Sequence, residues 1–270
     1  MHNFKYYVII ILFRDTSDIP KTQSNSTILF IMRRNIAVLH GAWGDPLTVQ
    51  SLVVGLQKLT DNVVTSIQLV GHGTEAFTPK MGSFGLREYE DDILKKLPSD
   101  ETILVGYSMG AVCGFNLAQR HPKMVKGVVM IDPPMLGGVA DVRVTKALMS
   151  KPLRYLLPLF TNGLFSPTYE DAKMMLFNGE ESPHLDRIVR QPAAGKAIRQ
   201  MLFGRLPSYS RRPCGLVIAG DSRLHPESHK RAWAKKVHAN WNSLAGSHCG
   251  ILEDRRLPEI VHQLVERVSI

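Results

Sequence analysis

Between an apolar run, Thr102–Val105, and a helix-like segment that begins at Ala111 lies the pentapeptide GYSMG, residues 106–110. The pattern G-x-S-x-G in a strand–turn–helix context is typical of a nucleophile elbow, a sharp turn that exposes its serine at the end of a strand. The flanking glycines have no Cβ, so the strand and the helix can approach each other closely. The serine oxygen then lies at the positive end of the helix dipole. We therefore predict that Ser108 is a nucleophile.

Outward from this turn, short apolar runs alternate with helix-like segments. The predicted strands are Asn35–Leu39, Val63–Leu69, Thr102–Val105, Gly127–Ile131, Gly215–Ala219 and Trp241–Leu244. The predicted helices are Leu47–Leu59, Leu86–Leu97, Ala111–Gln119, Pro226–Val237 and Leu257–Val268. This alternation predicts an α/β fold with a mostly parallel central sheet and helices on both faces.

The alternation stops between residues 137 and 212, a stretch rich in Met, Leu, Pro and Arg with two expected helices, Ala140–Lys151 and Ala193–Leu202. Because this stretch lies between two strands of one sheet, we interpret it as an inserted helical cap over the carboxyl ends of the strands. The core is then expected in two parts, residues 32–136 and residues 213–270.

Residues 1–31 are interpreted as an N-terminal extension outside the ordered domain, or as an artefact of an upstream start. The alternative is an extra edge strand at Ile28–Met32. The apolar run Tyr6–Phe13 is far shorter than the roughly 20 residues that span a bilayer, so we expect no membrane span. It also lacks a small-residue cleavage site and makes a poor signal peptide.

The composition, with 44% apolar and 21% charged residues, is that of an ordinary globular protein and excludes disordered, collagen-like and membrane-bundle classes. Three scattered cysteines are too few for a disulfide framework or a zinc site, and a reduced, cytoplasmic compartment is the simplest interpretation. No glycine-rich nucleotide motif is present. We therefore expect no metal and no cofactor.

The net charge of +9 is unevenly distributed. Between Ala140 and Arg212, twelve Lys and Arg against six Asp and Glu contribute +6. A basic surface attracts phosphate-bearing partners such as an acyl carrier protein or a coenzyme A thioester, although a solvated face is the simpler interpretation. No run of Lys and Arg is interleaved with aromatic residues, so we expect no nucleic-acid partner.

A serine hydroxyl becomes a good nucleophile when an imidazole takes its proton. Of the ten histidines, His248 lies in a loop, Gly246–Gly250, between the last predicted strand and the last predicted helix, from which it can reach the elbow. His40 and His72 also end strands, but each is next to a glycine in a turn and is better interpreted as bonded to backbone. We predict His248 as the general base.

The imidazole in turn needs a carboxylate that fixes its tautomer. Asp221 follows the strand Gly215–Ala219 through one glycine, and Asp132 directly follows the strand Gly127–Ile131. Both strands end at the same edge of the predicted sheet. We predict Asp221 as the acid and keep Asp132 as the alternative, with a turn stabilised by Pro133-Pro134 as its structural role.

The turn HGAWG, residues 40–44, follows the first predicted core strand, next to the elbow strand. The backbone N–H groups of Ala42 and Met109 are the expected oxyanion donors, and loss of one such donor costs about 10²–10³ in rate. The residues that we expect to line a substrate pocket are Trp43, Tyr107, Met135, Leu156 and Phe160.

The order Ser108, Asp221, His248, with the H-G-x-W turn upstream, resembles the α/β-hydrolase superfamily. The resemblance covers residues 35–136 and 213–268, and the residues between them match the variable cap of that family. The HGAW turn departs from the HGGG turn of many lipases and is more similar to small esterases, lactonases, thioesterases and carbon–carbon-bond-cleaving members. A serine at the elbow argues against the dehalogenase and epoxide hydrolase branches.

The resemblance implies a serine hydrolase that cleaves an ester or thioester of an apolar acyl group through an acyl-enzyme. The alternative within the same superfamily is a lyase or acyltransferase, free of cofactor, that uses the same three residues as a base. A non-catalytic binding protein on this scaffold is disfavoured, because such relatives typically lose a member of the triad.

Overall fold

The computed structural model describes residues 34–75, 78–98, 101–134, 157, 160–182 and 184–269. Six of its strands form the central sheet: β1 (Asn35–Leu39), β2 (Val63–Ile67), β3 (Thr102–Tyr107), β4 (Val125–Ile131), β7 (Cys214–Ala219) and β8 (Asn240–Leu244). All neighbours are parallel, in the order β2-β1-β3-β4-β7-β8. The inner strands β3 and β7 are buried along their whole length, as continuous apolar runs predict. The predicted parallel α/β fold is confirmed.

The described helices are α1 (Gln50–Leu59), α2 (Leu86–Lys96), α3 (Met109–Arg120), α4 (Tyr169–Leu176), α5 (Leu185–Arg190), α6 (Gly195–Phe203), α7 (Glu227–Lys236) and α8 (Leu257–Val268). On one face of the sheet α1 packs against α8, and on the other α3 packs against α2. Phe115 of α3 meets Trp233 of α7 edge to face at 5.3 Å. The sheet is therefore covered on both faces, which buries its apolar runs.

The insertion was expected to contain two helices, and its described part is richer. Two short strands, β5 (Leu164–Phe165) and β6 (Ala193–Ala194), pair antiparallel; α6 packs against both of them, and α4 packs against α5. The helix predicted over Ala193–Leu202 begins two residues later, because Ala193 and Ala194 are extended in β6. The helix predicted over Ala140–Lys151 lies outside the described residues.

The interpretations of residues 1–31 and of Ile28–Met32 also fall outside the described residues. Within the described ranges the longest helices, α3 and α8, have twelve residues each. None of the helices there could cross the hydrocarbon core of a bilayer.

Candidate active site

Ser108 lies on the tight turn between β3 and α3, with φ of 52°, in the left-handed region that L-residues rarely adopt. Its N–H donates to Ile131 O at 3.0 Å, which ties the turn to β4, and its own carbonyl accepts from Ala111 N at 3.0 Å. The side chain faces a cavity and the residue is 9% exposed. The turn predicted from GYSMG is thus present, with the serine at the carboxyl edge of the sheet.

His248 lies beside Ser108, as predicted from its loop position. Ser108 Oγ and His248 Nε2 are 2.9 Å apart, and the ring stacks on Tyr107 with the centroids 5.0 Å apart. Two contacts hold the loop: Tyr107 Oη donates to His248 O at 3.2 Å, and Cys249 N donates to Leu176 O of the insertion at 2.9 Å. The imidazole is buried and fixed within hydrogen-bond reach of the serine.

The carboxylate on the far side of the imidazole belongs to Asp132. His248 Nδ1 donates to Asp132 Oδ2 at 2.6 Å, so Nε2 is left as the acceptor for the serine hydroxyl. Asp132 has φ of 42° and is anchored by its N–H, which donates to Val217 O at 2.8 Å. Its other oxygen, Oδ1, accepts from Ala219 N at 3.2 Å and from Lys230 Nζ.

The charge of Asp132 is set by these partners. Burial by itself would raise the pKa of this carboxyl group, but the Lys230 ammonium and the contacts with His248 lower the pKa well below its usual value. Asp132 and Lys230 are both fully buried. Asp132 is therefore an ionised carboxylate at neutral pH, with partners for both oxygens.

The expected contact between Asp221 and His248 is wrong. Asp221 is exposed, and its Oδ2 accepts from Gly246 N at 2.7 Å while its N–H donates to Gly246 O at 3.0 Å. These bonds hold the loops after β7 and β8 together. The physical reason is the position of each carboxylate: β4 lies next to the elbow strand β3 and brings Asp132 beside the imidazole, whereas the carboxylate of Asp221 is held by Gly246 N. Asp132, the alternative that the sequence left open, occupies the position beside His248.

The turn at residues 40–44 follows β1, which pairs with the elbow strand through Leu39 and Gly106. A Cβ at Gly41 would lie 2.9 Å from Ser108 Cβ, so the absence of a side chain lets this turn reach the serine. His40 shapes the turn: its Nε2 accepts from Leu69 N at 3.1 Å, and its Nδ1 donates to Gly41 O at 2.8 Å. Burial, together with the neighbouring His72, lowers the pKa of His40 to about 3, so the ring is neutral.

Trp43 joins this turn to the insertion. It has φ of 60°, and its indole N–H donates to Phe165 O of β5 at 3.1 Å. Its neighbour Ala42 lines the cavity beside Ser108. Met109 is the first residue of α3, so its N–H is one of those that helix geometry leaves without an intrahelical acceptor. The two predicted donors thus lie on the two turns that flank the serine.

The cavity at Ser108 is mainly apolar and, together with its mouth, has a volume of about 860 Å³. The sheet side contributes Trp43 and Tyr107, two of the predicted pocket residues. The insertion contributes Phe165, Met175, Leu176, Ile188, Ile198, Met201 and Leu202. The insertion is therefore one wall of the cavity.

The other three residues predicted to line the pocket have different outcomes. Phe160 is 57% exposed and does not line the cavity, so that prediction is wrong. Met135 and Leu156 lie outside the described residues. Phe165, Ile188 and Met201 were missed because the insertion has no single periodicity, and packing decides which side of each short helix faces the serine.

Two further polar residues of the site were also missed. His225 lines the cavity, and burial together with Lys230 lowers its pKa to about 4. Lys230 lies in α7, a helix with many charged residues, and nothing in the sequence indicates that this lysine is buried. Cys249 is next to His248 in sequence, but burial raises the pKa of its thiol to about 12, and its Sγ lies 3.0 Å from Tyr107 Oη. In the described part of the chain no cluster of His, Cys, Asp and Glu suited to a metal ion occurs.

Comparison with protein families finds a match between residues 36–259 and the model of the alpha/beta hydrolase family. The solved structures that resemble the chain include an esterase from Thermogutta terrifontis, with a TM-score of 0.67 and 16% identity over 88% of this chain and 91% of that one. At this identity the likeness concerns the fold alone.

Two curated relatives match part of the chain. Monoglyceride lipase of Mus musculus is 29% identical over 134 residues, which is 47% of this chain and 44% of the relative. Pimeloyl-[acyl-carrier protein] methyl ester esterase of Aromatoleum aromaticum is 34% identical over 99 residues, 37% of each chain. The chain thus spans less than half the length of the curated relatives it matches.

Proposed function

Because the chain belongs to the alpha/beta hydrolase family, we propose that it is a serine hydrolase that cleaves an ester of an apolar acyl group. The observation that carries the proposal is the continuous line of hydrogen bonds from Ser108 through His248 to Asp132, which ends in an apolar cavity. The names of the two curated relatives, a lipase and a methyl ester esterase, support oxygen esters as the substrate class.

In the proposed reaction, Ser108 Oγ attacks the carbonyl carbon of the ester while His248 Nε2 takes the hydroxyl proton. Asp132 holds the tautomer with the proton on Nδ1 and stabilises the imidazolium that forms. The imidazolium then gives its proton to the departing alcohol, which leaves an acyl group on Ser108. A water molecule, deprotonated by His248, attacks the carbonyl carbon of this acyl-enzyme. The bond to Ser108 Oγ then breaks, the imidazolium returns its proton to Oγ, and the carboxylic acid is released.

The negative oxygen of each tetrahedral intermediate needs donors. We assign this role to the N–H groups of Ala42 and Met109, because they lie on the turns after β1 and β3 that flank Ser108. Such donors stabilise charge that develops in the transition state, and each contributes about 10²–10³ in rate.

The apolar walls of the cavity favour an uncharged acyl chain, since burying a charge there without a partner would be costly. An acyl carrier or coenzyme A thioester stays within the proposal as a leaving group, supported by the +6 charge between Ala140 and Arg212. These carriers bear phosphate, so their turnover would fall with ionic strength while that of a neutral ester would not.

The proposal is tested by a fluorophosphonate probe followed by peptide mapping. We expect one modified peptide, labelled at Ser108, and no labelling after Ser108→Ala, because the probe reacts with a serine whose proton is taken by a base. Circular dichroism establishes that the variant is folded. A folded protein that the probe leaves unlabelled would contradict an activated serine and would favour the lyase or acyltransferase chemistry instead.

The acyl-binding wall is tested by a matched pair on α6. Met201 lines the cavity and is buried, whereas Phe203, two residues later, is 67% exposed. Met201→Trp is expected to lower kcat/KM for long-chain p-nitrophenyl esters relative to acetate by about tenfold or more, since the larger ring fills space that the chain occupies. Phe203→Trp is expected to leave this ratio unchanged. An equal ratio in both variants would place the acyl chain elsewhere.

A further inference from the structure

Lys230 is a buried cation at the active site that the mechanism above does not use. It lies on α7 with 0% of its side chain exposed. Lysine is almost never fully buried unless it is paired. Its Nζ donates to Asp132 Oδ1 and to Ala219 O, the latter at 3.3 Å. The lysine therefore reaches the site from the side opposite to His248.

The two oxygens of Asp132 have separate partners. Oδ1 accepts from Ala219 N and Lys230 Nζ, and Oδ2 accepts from His248 Nδ1. Because each oxygen is bonded in a different direction, the carboxylate cannot rotate without breaking one of these bonds. The orientation that Asp132 offers to His248 is thus fixed from behind by Lys230 and β7.

The ammonium also acts through its charge. It helps to hold the pKa of the Asp132 carboxyl group below the usual value, and it is a fixed positive charge beside the pair that Asp132 forms with His248. The other titratable groups around these residues are Tyr107 on β3, Cys249 beside His248, His225 before α7, and Glu227 and His229 on α7.

The buried members of that set are uncharged near neutral pH. Burial and Lys230 lower the pKa of His225 to about 4. Burial raises the pKa of Cys249 to about 12 and that of Tyr107 well above its usual value. Glu227 is paired with Arg231 at 2.5 Å, and His229 is exposed. Among the described residues, Lys230 is therefore the buried cation that lies against the Asp132–His248 pair.

We propose, on the basis of the hydrolase function above, that Lys230 is a positioning residue: it fixes the carboxylate of Asp132 in the orientation that meets His248, and it places a buried positive charge against that carboxylate. Without the lysine, the buried site loses one positive charge, so the site as a whole takes up a proton more easily. Activity is then lost at higher pH as the solution is acidified.

The test measures the rate of Ser108 labelling by the fluorophosphonate probe between pH 5 and pH 9. This range of about four pH units includes the usual pKa of a histidine side chain. Lys230→Met removes the charge and the donor, and Lys230→Gln keeps an amide donor. We expect the plateau rate of both to fall about 10–100-fold, as for other residues that orient an active group. The midpoint of the acid limb is expected to rise by about one pH unit or more.

Lys235→Met is the matched control, because it removes the same charge from an exposed position of the same helix. We expect this variant to have the same plateau labelling rate and the same midpoint of the acid limb as wild type. An unchanged midpoint in a folded Lys230 variant would overturn the proposal. So would unfolding of both Lys230 variants by circular dichroism, since the lysine would then serve fold stability. Failure of the hydrolase function is seen separately, as absence of Ser108 labelling in wild type at every pH.

Discussion

Asp132→Asn is expected to lower kcat for a p-nitrophenyl ester by about 10⁴-fold, whereas Asp221→Asn leaves kcat within about twofold. An amide at position 132 does not stabilise the imidazolium and favours the tautomer with the proton on Nε2, where it opposes deprotonation of Ser108. Asp221 accepts a hydrogen bond from Gly246 N in an exposed loop and has no contact with the imidazole. The two substitutions remove one carboxylate each from neighbouring loops of the same sheet edge.

Steady-state kinetics of the two variants measure this difference. Asp132→Asn also leaves the buried ammonium of Lys230 without its counter-ion, so we expect a loss of about 3–5 kcal/mol in the free energy of unfolding. Kinetics are therefore measured at a temperature where circular dichroism shows the variant folded. If Asp221→Asn lost activity and Asp132→Asn kept it, the acid would be Asp221 after all.

Gly110→Ala is expected to destabilise the protein by about 3 kcal/mol. A Cβ at Gly110 would lie 2.5 Å from His40 O and 2.7 Å from Leu39 O, both of them backbone atoms at the end of β1. These atoms lie where β1 passes into the turn at residues 40–44, and they cannot move without displacing that turn. Loss of stability is therefore expected together with slower labelling of Ser108.

Gly114→Ala is the matched change on the same helix, α3. Its Cβ would lie 3.4 Å or more from Val128 and Leu104, which is ordinary van der Waals contact. We expect a gain of up to about 1 kcal/mol, because alanine has the higher helix propensity. Urea unfolding of both variants gives the comparison. Equal effects of the two substitutions would show that the close approach of α3 to β1 does not govern stability.

The parallel sheet could be predicted from sequence because its evidence is local. Apolar runs such as Asn35–Leu39 and Gly215–Ala219 are too short for helices and too continuous for exposed strands. The glycines of GYSMG are local evidence as well, because the turn itself needs residues without a Cβ. The position of His248 follows from its loop, which leaves the last strand at the same edge as the serine.

Which carboxylate lies beside His248 could not be predicted, because it depends on strand order and on the packing of the loops that follow the strands. Asp132 and Asp221 each follow a strand, and their immediate neighbours in sequence do not reveal which strand lies next to β3. The buried partner that distinguishes Asp132, Lys230, is 98 residues away in a helix of mostly charged and polar residues. The correct choice therefore depends on long-range packing.

The pocket prediction failed for a related reason. Trp43 and Tyr107 could be predicted from the sequence because they belong to the two turns at the serine. Phe160 was chosen for its apolar character, but apolar side chains also occur singly on surfaces, and this one is exposed. Which residues of α5 and α6 face the cavity depends on how the insertion packs on the sheet.

The hydrogen bond from the Trp43 indole to Phe165 O makes the sheet and the insertion depend on each other. Trp43 belongs to the turn that precedes α1, and its left-handed backbone is held by an acceptor more than a hundred residues later in the chain. Excision of the insertion would remove that acceptor as well as one wall of the cavity at Ser108. Grafting a different insertion onto the sheet would therefore require a replacement partner for the indole.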